Sequence, residues 1–191
     1  MAGTSRKEQI VREADRLFYR GGFRGTSFAD IAGAVGISRG NFYYHFRTKD
    51  EILDAVILHR IARTRTMLAA WEKEGDSPLE RIGCFIRILV ANRSDIMDYG
   101  CPVGSLGSEL ARIDHVSKRQ AADIFIMFRD WLAEQFCAMG HGRDKAQGLA
   151  FHLLGRSQGI AVMANVFGDE EFIRSEVAGL EEWVKTLDVG S

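Results

Sequence analysis

Only two prolines, Pro78 and Pro102, interrupt 191 residues in which apolar side chains return at every third or fourth position. Proline removes a backbone donor and blocks a helix interior, so a chain this poor in it permits long, unbroken helices. No stretch alternates apolar and polar residues long enough to make a half-buried strand. The expected fold is all-α.

Start and stop signals divide this pattern into nine helices. Ser5 and Glu8 form a capping box ahead of Ile10, Val11, Ala14, Leu17 and Phe18, and Gly21-Gly22 ends the first helix. Ser27 starts a second with Phe28, Ile31 and Ala32, stopped at Gly36, and Ser38 starts a third from Arg39 to Phe46. Thr48 to Glu51 opens a long fourth helix, and Ser77-Pro78-Leu79-Glu80 opens the fifth. Tyr99 to Gly107 reads as irregular, with a short sixth helix at 108–113 and a seventh from about His115 to Met139. Asp144 caps the eighth, to Phe167, and Asp169 caps the ninth, to about Leu187.

Charge is divided unevenly along the chain. Residues 1–50 carry nine Lys/Arg against five Asp/Glu, whereas residues 51–191 carry 16 against 21. A basic head on an acidic body is expected when one end meets a polyanion. Cys84, Cys101 and Cys137 have neither disulfide-framework nor metal-site spacing, and no cofactor motif occurs. Met1 to Lys7 lacks an apolar signal-peptide region, and no apolar run is long enough to cross a bilayer. A cytoplasmic protein without membrane contact is expected.

The stretch that carries chemistry is Thr26 to Phe46. Two short helices flank a tight turn, Val35-Gly36-Ile37, where Gly36 supplies the positive φ and Ala32 lets the helices cross closely. In such a helix-turn-helix the second helix enters the major groove with its first turn at base edges. Arg39 and Asn41 in that turn are the side-chain types that address guanine and adenine, and Gly40 lets backbone approach. Four aromatics in five residues (Phe42, Tyr43, Tyr44, Phe46) cannot share one helix face. Phe42 and Phe46 are assigned to the core, and Tyr43, Tyr44 and His45 to the exposed side.

These residues resemble the DNA-binding domain of the tetracycline-repressor (TetR) family of bacterial regulators. The matching pieces are Ala14, Leu17 and Phe18; Gly22-Phe23…Gly25-Thr26-Ser27; Asp30-Ile31-Ala32; Val35 through Phe46; and Lys49 through Leu53. The resemblance implies a homodimer reading a double-stranded palindromic operator, with a larger domain binding a small-molecule effector that lowers DNA affinity. Residues 1–50 are then the DNA-binding domain and 51–191 the sensing and dimerisation domain. Base contacts are expected from Arg39, Gly40, Asn41 and Tyr43, and phosphate contacts from Ser27, Tyr44, His45 and Lys49. Ala29 departs from the pattern, where a polar or basic residue is usual.

For the larger part, the resemblance places a partner's helices against the last two, giving Leu153, Gly155, Gly159, Ile160, Met163, Phe172, Leu180 and Trp183 as interface residues. An apolar or aromatic effector is expected among Trp71, Phe85, Met97, Cys101, Phe125, Phe128, Trp131, His152 and Met163. Cys84 and Cys137 fall in apolar helices and are expected to be buried. Cys101, in the Gly-rich loop, raises an alternative in which the repressor senses oxidants or electrophiles. A small helical enzyme or carrier is a further alternative, but the five histidines are scattered and none adjoins a catalytic motif.

Overall fold

The computed structural model describes residues 5–187, which form ten helical segments and no strand among the described residues. In chain order these are α1 (Arg6–Gly25), α2 (Phe28–Val35), α3 (Arg39–His45), α4 (Lys49–Glu74) and α5 (Pro78–Ala91). They continue with α6 (Arg93–Tyr99), α7 (Pro102–Arg112), α8 (Lys118–Ala138), α9 (Arg143–Phe167) and α10 (Glu170–Lys185). All nine expected helices are present. The fifth is written as two segments because it breaks at Asn92, whose side-chain amide donates to the Ile88 carbonyl at 2.9 Å.

Two boundaries differ from expectation for visible reasons. The Gly-rich loop is helical from Pro102 onward: proline takes the first helical position, and the Cys101 Sγ accepts from the Gly104 N–H at 3.4 Å. α8 begins later than expected, because residues 113–117 form a corner with Asp114 at a φ of 51°.

The chain divides into two units, Met1–Arg63 with Ser105–Asp123, and Thr64–Gly104 with Ile124–Ser191. In the first, Ile10, Val11, Ala14 and Phe18 of α1 meet Ile31 and Ala32 of α2, Phe42 and Phe46, and Ile52, Leu53, Val56 and Ile57 of α4. Leu106 and Leu110 of α7 and Ala121 of α8 complete this core. The unit that holds the helix-turn-helix thus draws on residues well beyond 50. A buried ion pair, Arg60 to Asp15 at 2.6 Å, joins α4 to α1.

In the second unit α5, α6, α9 and α10 pack together, and Arg93 pairs with Glu170 at 2.8 Å. Cys84 is buried as expected, but Cys137 is exposed: it lies on the outward side of α8 while its neighbour Phe136 is fully buried. No helix among the described residues is long and apolar enough to cross a membrane.

Candidate nucleic-acid interface

The reading element is built by local caps. Ser27 and Asp30 form a capping box at the start of α2: Ser27 Oγ accepts from the Asp30 N–H at 3.2 Å, and the Asp30 carboxylate accepts from the Ser27 N–H at 2.7 Å. Hydrogen bonding of the Asp30 carboxyl to Ser27, to its side chain first and its backbone second, holds that carboxyl below its ordinary range. α2 stops at Gly36, which has φ 71° and ψ 37°. The Ile37 N–H then turns back to the Ala32 carbonyl at 3.1 Å, closing the turn. Ser38 caps α3 by accepting from the Asn41 N–H at 3.4 Å.

α3 separates its aromatics by face. Phe42 and Phe46 are 1% and 3% exposed, whereas Tyr43 and Tyr44 are 55% and 86% exposed. Phe28 of α2 meets Phe42 edge-on at 5.1 Å and stacks on Tyr43 at 5.6 Å with 16° between planes. The Tyr43 ring is therefore aimed by its neighbour, while Tyr44 meets the His45 ring edge-on at 5.2 Å. Gly40 and Asn41 are exposed and His45 is half-buried. A Cβ on Gly40 would meet open space, so this glycine keeps room for something outside the fold. Arg39 starts the helix, but its side chain lies outside the described residues.

Of the eight expected DNA contacts, Gly40, Asn41, Tyr43 and Tyr44 share the exposed part of one short helix, and Ser27 is exposed at the start of α2. Lys49 has a different task within the fold. Its ammonium donates to the Phe23 carbonyl at 2.9 Å and the Thr26 carbonyl at 3.1 Å, and lies 4.4 Å from the centre of the Phe23 ring. Arg47, exposed immediately after α3, is a further cation beside the reader that the motif did not single out.

The expected effector residues fall into three groups in the second unit. Trp71, Phe85, Phe128 and Trp131 are buried and in ring contact, with Trp71–Trp131 and Phe85–Phe128 centres both 5.6 Å apart. Glu72 closes one edge of this cluster, accepting from Trp131 Nε1 at 2.7 Å and Gln135 Nε2 at 2.8 Å. Met97, Cys101 and Phe125 are half-buried. His152 and Met163 do not belong with the cluster: both are exposed on α9, with the His152 ring 4.9 Å from Trp183.

Three of the expected interface residues point inward. Leu153, Ile160 and Leu180 are at most 3% exposed within the single chain, so they have no surface left for a partner. The outward side of α9 instead carries Phe151, Val162, Met163, Val166 and Phe167, exposed by 44–69%, with Gly155 and Gly159 among them. Phe172 and Trp183 of α10 are half-exposed.

Comparison with known proteins agrees with this geometry. Residues 10–56 match the model of the bacterial regulatory proteins of the tetR family. An uncharacterised HTH-type transcriptional regulator of Lactococcus lactis subsp. lactis is 27% identical over 172 residues, 88% of each chain. The HTH-type transcriptional regulator TtgR of Pseudomonas putida is 34% identical over 84 residues, 44% of this chain and 39% of that one. Among solved structures, a TetR transcriptional regulator from Legionella pneumophila superimposes with a TM-score of 0.85 at 24% identity, over 95% of this chain and 98% of that one.

Proposed function

This chain belongs to the tetR family of bacterial regulatory proteins, and we propose that within it the protein is a ligand-responsive repressor, binding a palindromic operator as a homodimer and released by a small apolar or aromatic effector. As a family member it is a DNA-binding transcriptional regulator and not an enzyme. It acts where its operator is, in the cytoplasm. Residues 1–50 supply the reader, and residues 51–191 supply sensing and dimerisation.

One observation carries the reading: Phe42 of α3 and Phe46, which caps it, are sunk in the core while Tyr43 and Tyr44 are left in water. An exposed ring on a monomeric surface gains nothing from water, whereas phenol hydroxyls at a duplex find phosphate and base-edge partners. Arg39, Gly40, Asn41 and Tyr43 take the base edges, and Ser27, Tyr44, His45 and the remaining donor of Lys49 take phosphates. Dimerisation is supported by the apolar stripe on α9, since one helix-turn-helix alone offers too little contact for specific affinity. The effector class is supported by the aromatic cluster around Trp71 and Trp131. Gln135 Oε1, a buried acceptor with no partner among the described residues, would take a donor group on that molecule.

The test starts from duplexes selected by the full-length protein out of a random-sequence pool. They should converge on a palindrome whose binding weakens steeply with salt. Arg39→Ala/Asn41→Ala should then lose about a hundredfold or more for the selected duplex, since each bidentate base contact is worth about 1–3 kcal/mol. Unchanged affinity of the double variant would remove α3 from the interface.

A further inference from the structure

The corner between α1 and α2 is held from outside. Gly22 adopts φ 76° and ψ 162°, a conformation only glycine takes readily, and there the helical hydrogen-bond ladder is broken. The N–H groups of Phe23 and Arg24 consequently lose the helical acceptors four residues earlier. α2 and α3 meet the same need with serines of their own, Ser27 and Ser38. At this corner the acceptor comes from 86 residues away: Glu109 of α7 takes the Phe23 N–H on Oε2 and the Arg24 N–H on Oε1, both at 2.8 Å.

The corner's carbonyls are held as well. Lys49 of α4 takes those of Phe23 and Thr26, and the buried Thr26 hydroxyl donates to the Gly22 carbonyl at 2.8 Å. His115, just beyond α7, presents its ring edge-on to Phe23 at 5.2 Å. A Cβ on residue 22 would lie 3.1 Å from Glu109 Oε2, so the glycine also makes room for the carboxylate. Thr26 is followed at once by Ser27, the cap of α2, so no slack separates this clamp from the reading helices.

We propose that Glu109 is a positioning residue for operator recognition: a remote cap whose two hydrogen bonds fix the α1–α2 corner, and through it hold α2 and α3 in their DNA-binding pose. A charge-assisted pair of bonds suits such a latch, because bonds to an ionised carboxylate are stronger than neutral ones. Glu109 touches no DNA in this account. The proposal rests on the function argued above only for its operator arm; the latch itself is testable without DNA.

The experiment combines amide hydrogen exchange with duplex binding, using the full-length protein and Glu109→Gln, which keeps the shape and replaces one acceptor oxygen by a donor. In the unaltered protein the Phe23 and Arg24 amides should be protected; rapid exchange there overturns the latch, whether or not the variant folds. In the variant, exchange across residues 23–46 should rise about tenfold with residues 8–18 unchanged, reflecting local opening and not global unfolding. Affinity for the selected duplex should fall about tenfold, the scale of a lost charged hydrogen bond, while binding to unrelated duplex stays within about twofold. Raised exchange with unchanged affinity would overturn the positioning role, because the latch would then be structural only. Failure of the unaltered protein to select any duplex would remove the operator and this role together, while the exchange data would still decide whether the corner is latched.

Discussion

α3 and the outward side of α9 both place large carbon-rich side chains in water, yet with different chemistry. The rings exposed on α3 are Tyr43 and Tyr44, each ending in a hydroxyl, and they stand beside Asn41 and Arg47. The groups exposed on α9 are Phe151, Val162, Met163, Val166 and Phe167, none of which donates a hydrogen bond from its side chain. Two glycines among them, Gly155 and Gly159, meet nothing within 4 Å where a Cβ would stand. A surface meant for a hydrated polyanion keeps polar tips on its rings, whereas one meant for a second protein chain presents carbon and close backbone approach. The two patches therefore ask for different partners, and each can be disabled without touching the other.

The largest effect that would sharpen this contrast is expected on α9. Val166→Glu/Phe167→Glu replaces only exposed groups, so the fold should persist. Each partner would then have to bury carboxylates opposite carbon, a cost of about 3 kcal/mol or more, or a hundredfold in the dimer dissociation constant. Sedimentation at low micromolar concentration should show monomer with unchanged helicity. A persistent dimer would break the comparison by moving the interface elsewhere.

A smaller effect belongs to the reader's scaffold. Ser27→Ala removes the α2 cap and should lower stability by about 1 kcal/mol, read from denaturant unfolding. Acid should act on the same cap. Because the Asp30 carboxyl is held below its usual 3.8, its contribution is complete above that value and is lost as pH falls through the depressed folded value. The stability difference between the unaltered protein and Asp30→Asn should therefore be present at neutral pH and shrink in strong acid. A difference independent of pH would mean that Asp30 does not act through its charge.

What was legible in the sequence was what is settled within a few residues. Ser27 with Asp30, Gly36 at the turn and Ser38 before Asn41 are contacts three to five positions long, and the partition of Phe42 and Phe46 from Tyr43 and Tyr44 follows from helical period alone. The α9 stripe was half legible. Periodicity shows two apolar sides but not which one its own subunit covers, so it does not separate the buried Leu153 and Ile160 from Phe151, Val162 and Val166, which face water. The break at Asn92 carries neither glycine nor proline. Glu109 left no trace at all, since nothing local distinguishes a surface glutamate from one that closes a corner 85 residues earlier.

The central claim is that the outward side of α3 meets DNA. Tyrosine-directed chemical labelling of the full-length protein, read by mass spectrometry with and without its selected duplex, tests it most directly. Tyr43 and Tyr44 should react readily in the free protein and be strongly protected on the duplex, while unrelated duplex at high salt leaves them reactive. Tyrosines that are shielded before DNA is added, or equally reactive after it, would contradict the account.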